Sequence, residues 1–274
     1  MRKNLAIVIS VLLIIGTACG CGSSSGTSAQ NKQQYQSEIE SQNGFYPLYE
    51  SLYGEKKQLY IDICSTIKNY SKNSIELGEY ETERDARTAS KEMGTFYRNI
   101  LFENPEYFWV DPYTFTINEI QSSGKYRLTL SPKYIVDEDV LQEKKSAFDQ
   151  KVTEIVYTAK TKTTDFDKVL FVYDYILANS EYDYELIDSG DTTDLGRSAY
   201  GCLVDGETIC SGYSMAFNII MRKLGFECGY EFNNYDNFSI IDGHVWNYCK
   251  LENVYYYFDL TSQNSIYSSR FLLL

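Results

Sequence analysis

The stretch "GHVWNYCKLENVYYYFDLT", residues 243–261, constrains the fold more than any other, because apolar and polar side chains alternate on both sides of Glu252-Asn253. A period of two sends successive side chains to opposite faces of a strand. A two-residue break in which Asn adopts left-handed geometry joins two such strands as a tight hairpin. With Leu251 facing Val254, Trp246 falls opposite Asp259 and His244 opposite Thr261. His244 and Asp259 then share a face as diagonal neighbours, roughly 7 to 8 Å apart at the backbone and within side-chain reach. A slip of one residue would put them on opposite faces. His244 is also the only histidine in 274 residues. Imidazole is the side chain that most readily exchanges protons near neutral pH, and a carboxylate beside it can hold one ring nitrogen while the other transfers a proton. Taken alone, His244 reads as a half-buried strand residue with a backbone partner.

A second stretch, "ETICSGYSMAFNIIMRKLGF", predicts a helix. Tyr213, Ala216, Phe217, Ile220 and Leu224 recur at helical spacing, Arg222 and Lys223 occupy the last turn, and Gly225 is placed to stop it. Cys210 therefore lies at the helix N-terminus. Unpaired backbone N–H groups and the positive end of the helix dipole favour a thiolate there, and the same N–H groups can hold an oxyanion. The alternative is a small buried residue, the commonest fate of a free cysteine. Helix-capping cysteine, strand histidine and paired aspartate together supply a nucleophile, a base and an orienting group.

The two stretches, with "AYGCLVDG" before them, resemble the transglutaminase-like superfamily of papain-related folds. In that family a Cys-Gly-Tyr-type segment opens a helix, a Gly-His-x-Trp-Asn segment carries the base and an Asp-x-Thr segment carries the acid. The resemblance covers about residues 165 to 274 and implies Cys210 as nucleophile, His244 as base and Asp259 as orienting carboxylate. It further implies an α+β fold in which the cysteine helix packs on an antiparallel sheet. The implied activity is thiol acyl transfer on a peptide or glutamine amide, hydrolytic or, as the alternative, protein cross-linking. A non-catalytic surface module binding peptide or glycan is the reading of a different class. "ENPEYFWV" is similar to the N-terminal region of bacterial exported members. Ser262 departs from the Trp that often follows Asp-x-Thr. The sequence stops at "RFLLL", where relatives usually continue with further strands, so a short member or a truncated sequence is expected.

Upstream, Leu52, Leu59, Ile63, Ile67 and Tyr70 predict one amphipathic helix and Ala86, Ala89, Met93, Phe96 and Ile100 another, ended by Pro105 and Pro112 in an aromatic loop. "YTFTINEI" and "KYRLTL" around "QSSG" predict a hairpin. Val140, Phe148, Val152, Ile155 and Val156 mark a further helix. Another begins near Thr164 or Asp165 with Phe166, Val169, Leu170, Tyr173 and Ile176 on one face. Cys202, Cys228 and Cys249 are expected as buried thiols more readily than a disulfide. One histidine and no close cysteine pair in this part of the chain argue against zinc. Gly201, Gly206 and Gly212 lack the lysine and spacing of a phosphate loop. No cofactor and no metal are expected.

The first residues combine Arg2 and Lys3 with an apolar run from Leu5 to Ile15 and then "GTACGCG", which reads as an export signal too short for a confident transmembrane span. Cleavage before Cys19 resembles the bacterial lipoprotein signal, with Cys21 as a second register, and implies a lipid-anchored chain on the extracytoplasmic face of a bacterial cell membrane. The expected organisation is a signal over 1–18, a flexible Ser-, Gln- and Asn-rich linker over 19–44, a helical region with a hairpin over 45–162 and a transglutaminase-like domain over 163–274. The formal charge of -13 argues against a nucleic-acid partner. It leaves a protein or peptide substrate as the expected partner, with membrane contact through the anchor only.

Overall fold

In the computed structural model, which describes residues 45–111, 115–120, 123–233, 243–261 and 272–273, the chain alternates helices with short sheets, antiparallel except for one two-residue parallel pair, around one large core beside which Phe102, Cys210 and Val245 form a small second cluster. The expected signal and linker, with Cys19 and Cys21, lie outside the described residues. Among the described residues no helix is long and apolar enough to cross a membrane.

The N-terminal part begins with a one-turn helix α1 (Pro47–Ser51), then α2 (Gly54–Lys68), strand β1 (Ile75–Tyr80) and α3 (Glu83–Glu103). Thr82 starts α3 by accepting the Asp85 N–H on its hydroxyl at 3.2 Å. A two-residue strand β2 (Val110–Asp111) follows, then β3 (Phe115–Ile120) and β4 (Lys125–Leu130), paired as the expected hairpin, and a short β5 (Lys133–Tyr134) that pairs with β2. β1 adds to the other edge of β4, so the hairpin is part of a three-stranded sheet. That strand was not expected between the two helices. Its pairing shifts between Glu76 and Gly78, where Gly78 has φ +141, and this bulge breaks the alternation that would have marked it. Leu52 and Tyr70 also fall outside α2: Leu52 is extended after α1, and Tyr70 has φ +50 beyond the helix end.

The chain continues through α4 (Glu138–Lys160) and α5 (Asp165–Asn179). Thr164 and Asp167 close a reciprocal capping box at the start of α5. The core face of α5 begins at Val169 and runs through Val172, Tyr173 and Ile176, whereas Phe166, expected on that face, is half exposed in the first turn. Short elements β6 (Glu181–Tyr182), α6 (Tyr184–Ser189) and β7 (Glu207–Thr208) lead to α7 (Cys210–Lys223). All of α7 except Met215 and Lys223 is buried, as expected of a helix enclosed on every side rather than on one face. Gly225, at φ +90, donates to the Arg222 carbonyl, and Phe226 N–H donates to the Met221 carbonyl, a paired closure of the helix end that needs a left-handed residue.

Strands β8 (Cys228–Phe232), β9 (Val245–Leu251), β10 (Val254–Phe258) and β11 (Leu272–Leu273) form an antiparallel sheet in the order β11-β10-β9-β8. Leu251 faces Val254 and Asn247 faces Phe258, the register read from the sequence. Glu252 and Asn253 both have positive φ, at 48° and 67°, as a mirror-image type I turn requires. Cys228 and Cys249 face each other across β8 and β9 as buried free thiols, and Cys202 is likewise buried and free.

Two polar anchors join the N-terminal part to α7 and β8. The buried Glu103 carboxylate accepts Leu48 N–H at 2.7 Å and Tyr49 N–H at 3.1 Å, and the Tyr60 hydroxyl at 2.7 Å, so it caps α1 from below. The guanidinium of Arg222, itself buried in α7, donates to the Glu103 carbonyl. Tyr230 Oη donates to the Phe102 carbonyl at 2.8 Å. These contacts hold the end of α3 against the last turn of α7 and against β8, and Phe102 there packs with Cys210 and Val245, which sets one wall of the cavity described next.

Candidate active site

Cys210 is the first residue of α7, and its N-cap, Ile209, has no side chain able to accept from the first turn. The N–H groups of that turn therefore receive no acceptor from the N-cap side chain. The turn is held tightly from outside. Thr208 Oγ1 donates to the Gly196 carbonyl at 2.6 Å, and Ser211 Oγ donates to the Arg197 carbonyl at 2.8 Å. A Cβ at Gly212 would stand 1.9 Å from Thr208 Oγ1 and 2.6 Å from the Ser198 carbonyl oxygen, so only glycine lets the helix start this close to the preceding loop.

The hairpin supplies the other groups. His244 immediately precedes β9 and Asp259 immediately follows β10, and the fixed register brings His244 Nε2 to 2.8 Å from Asp259 Oδ2. Thr261 holds the carboxylate from its other side, donating through its hydroxyl at 2.6 Å and its backbone N–H at 3.0 Å to Oδ1. Burial favours the neutral acid, but the hydrogen bonds from His244 and Thr261 outweigh it and hold Asp259 below the usual carboxylate range. His244 is pushed up to about 10 by its hydrogen bond to Asp259, then by a hydrogen bond to Cys210, against the opposing effect of burial. With Nε2 occupied by Asp259, the ring's Nδ1 is the nitrogen left for the thiol.

The relative placement of thiol and imidazole depends on how α7 sits on β8 and β9. Ser214 Oγ donates to the Val245 carbonyl at 3.1 Å, Asn218 Nδ2 to the Cys228 carbonyl at 2.9 Å, and Asn247 Nδ2 to the Ser214 and Gly229 carbonyls, each at 3.1 Å. These directional bonds between helix and strand fix the distance that packing alone would leave looser. Ser214, Asn218 and Asn247 were not singled out in the sequence. The available signal was a polar residue on a face otherwise filled with apolar ones.

Cys210 and His244 open into a cavity of about 330 Å3. Part of its wall comes from the N-terminal part of the chain, including Phe102, Tyr107 and Phe108, so the "ENPEYFWV" segment reaches the site. Tyr182 also lines the cavity. Burial raises its hydroxyl to about 12, and the Cys210 backbone N–H, bonded to that hydroxyl, acts in the opposite sense.

Residues 149–260 match the family model of the transglutaminase-like superfamily. No curated protein matches the chain. Among solved structures, the chain is similar to one described as the crystal structure of a TGase, at 15% identity over 57% of this chain and 45% of that one, with a TM-score of 0.40. It is similar also to a Cytophaga hutchinsonii protein described as a candidate cysteine protease, at 15% identity over 56% of this chain and 63% of that one, with a TM-score of 0.34. The chain thus spans less than two thirds of either structure. The matched stretch, residues 149–260, runs from within α4 to the end of the histidine–aspartate hairpin, and over it the chain is similar to the transglutaminase-like superfamily.

Proposed function

We propose that this chain is a thiol acyl-transfer enzyme in which Cys210 is the nucleophile, His244 the base and Asp259 the group that orients it. The observation that carries the reading is the line of contacts from the N-terminus of a buried helix, through one imidazole, to a carboxylate fixed at 2.8 Å. Cys210 sulfur attacks a peptide or glutamine-amide carbonyl, and the carbonyl oxygen becomes an oxyanion facing the N–H groups of the first turn of α7, where the Cys210 N–H leaves the Tyr182 hydroxyl to donate to it. The imidazolium delivers its proton to the departing amine, leaving a thioester on Cys210. His244 then takes a proton from water, whose oxygen attacks the thioester, and the acid and the thiol are restored. Water is the default acceptor unless a site excludes it, which favours hydrolysis. An amine acceptor in its place would form a cross-link.

Alkylation with iodoacetamide tests the triad, because the chain's single histidine makes any imidazole dependence assignable. Cys210 should react rapidly at pH 5 to 6, where an ordinary thiol of pKa about 8.5 is almost entirely protonated, and His244→Ala should abolish that reactivity. A labelling profile like that of a free thiol, unchanged in His244→Ala, would sink the catalytic reading and leave a peptide-binding module. Incubation of bacterial surface protein with a labelled primary amine then separates the outcomes: incorporation marks transfer, new peptide termini mark hydrolysis.

The address of the protein is part of the proposal. Cys19 carries a lipid that holds the enzyme at the extracytoplasmic face of the membrane, where its substrates are surface or wall proteins. Cys19→Ser should release the mature chain into the medium, and retention at the membrane would overturn the anchor.

A further inference from the structure

Arg98 projects from α3, one helical turn before Phe102, and lines the same cavity as Cys210 and His244. Its Nε is buried without a hydrogen-bond partner, and among the described residues the guanidinium makes no hydrogen bond and no ion pair. Its charged carbon stands 5.8 Å from the centre of the Phe232 ring. Other arginines with comparable burial are committed. Arg127 is paired with Glu79, Arg197 donates to the Leu186 carbonyl and Arg222 to the Glu103 carbonyl. Asp194, which also lines the cavity, turns one oxygen back into its own loop to accept Gly196 N–H at 2.7 Å. In a chain with thirteen more acidic than basic side chains, a half-buried arginine with no acid paired to it among the described residues does not reflect a shortage of acids. Leaving a desolvated N–H donor unpaired costs free energy that an arriving acceptor would recover.

We propose that Arg98 makes the cavity a receptor for a carboxylate on the acyl-donor peptide, so that the enzyme selects an acidic substrate. This rests on the reading of the cavity as the site of a Cys210 enzyme. A guanidinium offers two parallel N–H donors that match a carboxylate. Arg197 also lines the cavity, but it donates to the Asp191 and Leu186 carbonyls, so one uncommitted guanidinium in a largely apolar lining suits a single negative charge flanked by an apolar side chain better than a phosphate, which calls for several donors. The carboxylate belongs either to an Asp or Glu side chain or to the C-terminus of the donor, and both present the same group to Arg98.

Three alkylating peptides separate these sources: N-iodoacetyl-Phe-Glu-amide, N-iodoacetyl-Phe-Gln-amide, and N-iodoacetyl-Phe-Gln with a free C-terminal carboxylate. With each, the Cys210 sulfur forms a thioether and iodide leaves, and the modified peptide is read by mass spectrometry. At least one anionic probe should alkylate wild-type protein roughly 10- to 100-fold faster than the neutral one, the range of a charge-assisted hydrogen bond. The faster of the two identifies the position of the carboxylate. Arg98→Gln should bring the ratio to about one, and Arg98→Lys should keep a reduced preference, which also controls for folding. A ratio near one in wild type, with His244-dependent alkylation by the neutral probe intact, overturns the role of Arg98 and leaves the enzyme standing. A preference that survives in Arg98→Gln overturns it too. If alkylation shows no dependence on His244, it is the enzyme reading that fails. Calorimetry of acetyl-Phe-Glu-amide, acetyl-Phe-Gln-amide and acetyl-Phe-Gln with a free carboxylate on Cys210→Ala then decides the anion site, and equal affinities for all three overturn it.

Discussion

The two sides of the cavity are built by different physics. On the side of α7 and the β9–β10 hairpin, position is set by hydrogen bonds with defined direction: Asn247 to two carbonyls, Ser214 and Asn218 to strand carbonyls, Thr261 to Asp259. On the side of α3 and the loop after it, hydrogen bonds from Arg222 and Tyr230 tie down the end of the helix, and the loop beyond it is set by aromatic packing. Trp109 lies edge-on to both Tyr107 and Phe108, with ring centres 5.5 and 5.3 Å away, and Phe108 tilts onto Tyr200 at 4.6 Å. Proton transfer fails when a donor moves by an ångström, so the side with the proposed chemistry needs directional bonds. Recognition of a side chain tolerates more, and packed rings suffice for it. The contrast predicts that substitutions on the first side change reactivity out of proportion to stability, and substitutions on the second do the reverse.

The sharpest break of that contrast comes at the triad itself. Cys210→Ala should abolish labelling at this position, and His244→Ala should lower the rate of Cys210 alkylation at pH 6 by about 10³-fold or more, the order seen when one member of such a unit is removed. The thermal midpoint should move little in Cys210→Ala, whereas His244→Ala loses the ion pair with Asp259 and should lower the midpoint near neutral pH as well. Asp259→Asn should cost about 10²- to 10⁴-fold, because the amide no longer holds the ring as an ionised partner does. The pH dependence follows from the same pair. His244 has its folded value raised to about 10, so the stability it contributes is complete below its unfolded value near 6.5 and is lost as pH rises through 10. Asp259 is lowered, so its contribution is present above its ordinary value and is lost in strong acid as the folded carboxylate protonates. Denaturant midpoints of wild type should therefore fall between pH 6.5 and 10 more steeply than those of Asp259→Asn. Parallel slopes would break the assignment of the pair.

The packed side should show the opposite balance. Trp109 is 2% exposed and does not line the cavity, and Trp109→Ala should cost about 3 to 5 kcal/mol of stability. In the fraction that remains folded, His244-dependent alkylation by iodoacetamide should stay within a few-fold of wild type. Urea unfolding and alkylation measured on the same sample check both halves of the statement. A large loss of intrinsic reactivity in folded Trp109→Ala would mean that the aromatic side also positions the thiol.

Why these two sides differed in how readily they were read follows from range. The hairpin register is a local quantity, determined by period-two alternation and a turn at Glu252-Asn253, and it carried His244 to Asp259 without reference to the rest of the chain. The start and end of α7 were equally local, through Cys210 and Gly225. Strand β1 was missed because Gly78 and a bulge interrupt its alternation and its partner, β4, is about fifty residues away. The cavity wall was missed for the same reason, since Arg98, Phe108 and His244 meet only after three separate segments fold. Phe166 shows the limit of periodicity in the other direction: it has the right spacing for the core face of α5 and yet is half exposed, because spacing does not say where the neighbouring layer stops.

Within the hydrogen-bonded side stands Asn247, fully buried, whose Nδ2 bonds the helix that bears Cys210 to the strand that follows His244. Asn247→Ala removes two N–H donors and leaves the Ser214 and Gly229 carbonyls short of a partner, at a cost of about 1 to 3 kcal/mol. Since this bond is part of what fixes thiol to imidazole, the alkylation rate should fall further than that loss of stability requires, and a proportionate fall would place Asn247 with the packing residues instead.

The smallest effect expected is at the turn, and it isolates register from everything else. Glu252 holds φ +48 and Asn253 φ +67, and a left-handed glutamate carries a penalty that asparagine largely escapes. Glu252→Asn should therefore stabilise the protein by about 0.5 to 1 kcal/mol. Leu251 would still face Val254, so the distance from His244 to Asp259 and the rate of Cys210 alkylation should not change. Equilibrium unfolding in urea gives the first quantity and iodoacetamide labelling the second. A gain in stability accompanied by lost labelling would show that the turn can be satisfied in a second register, one that moves His244 and Asp259 to opposite faces, and that the native register depends on the Asn247 and Ser214 contacts to α7 as much as on the turn.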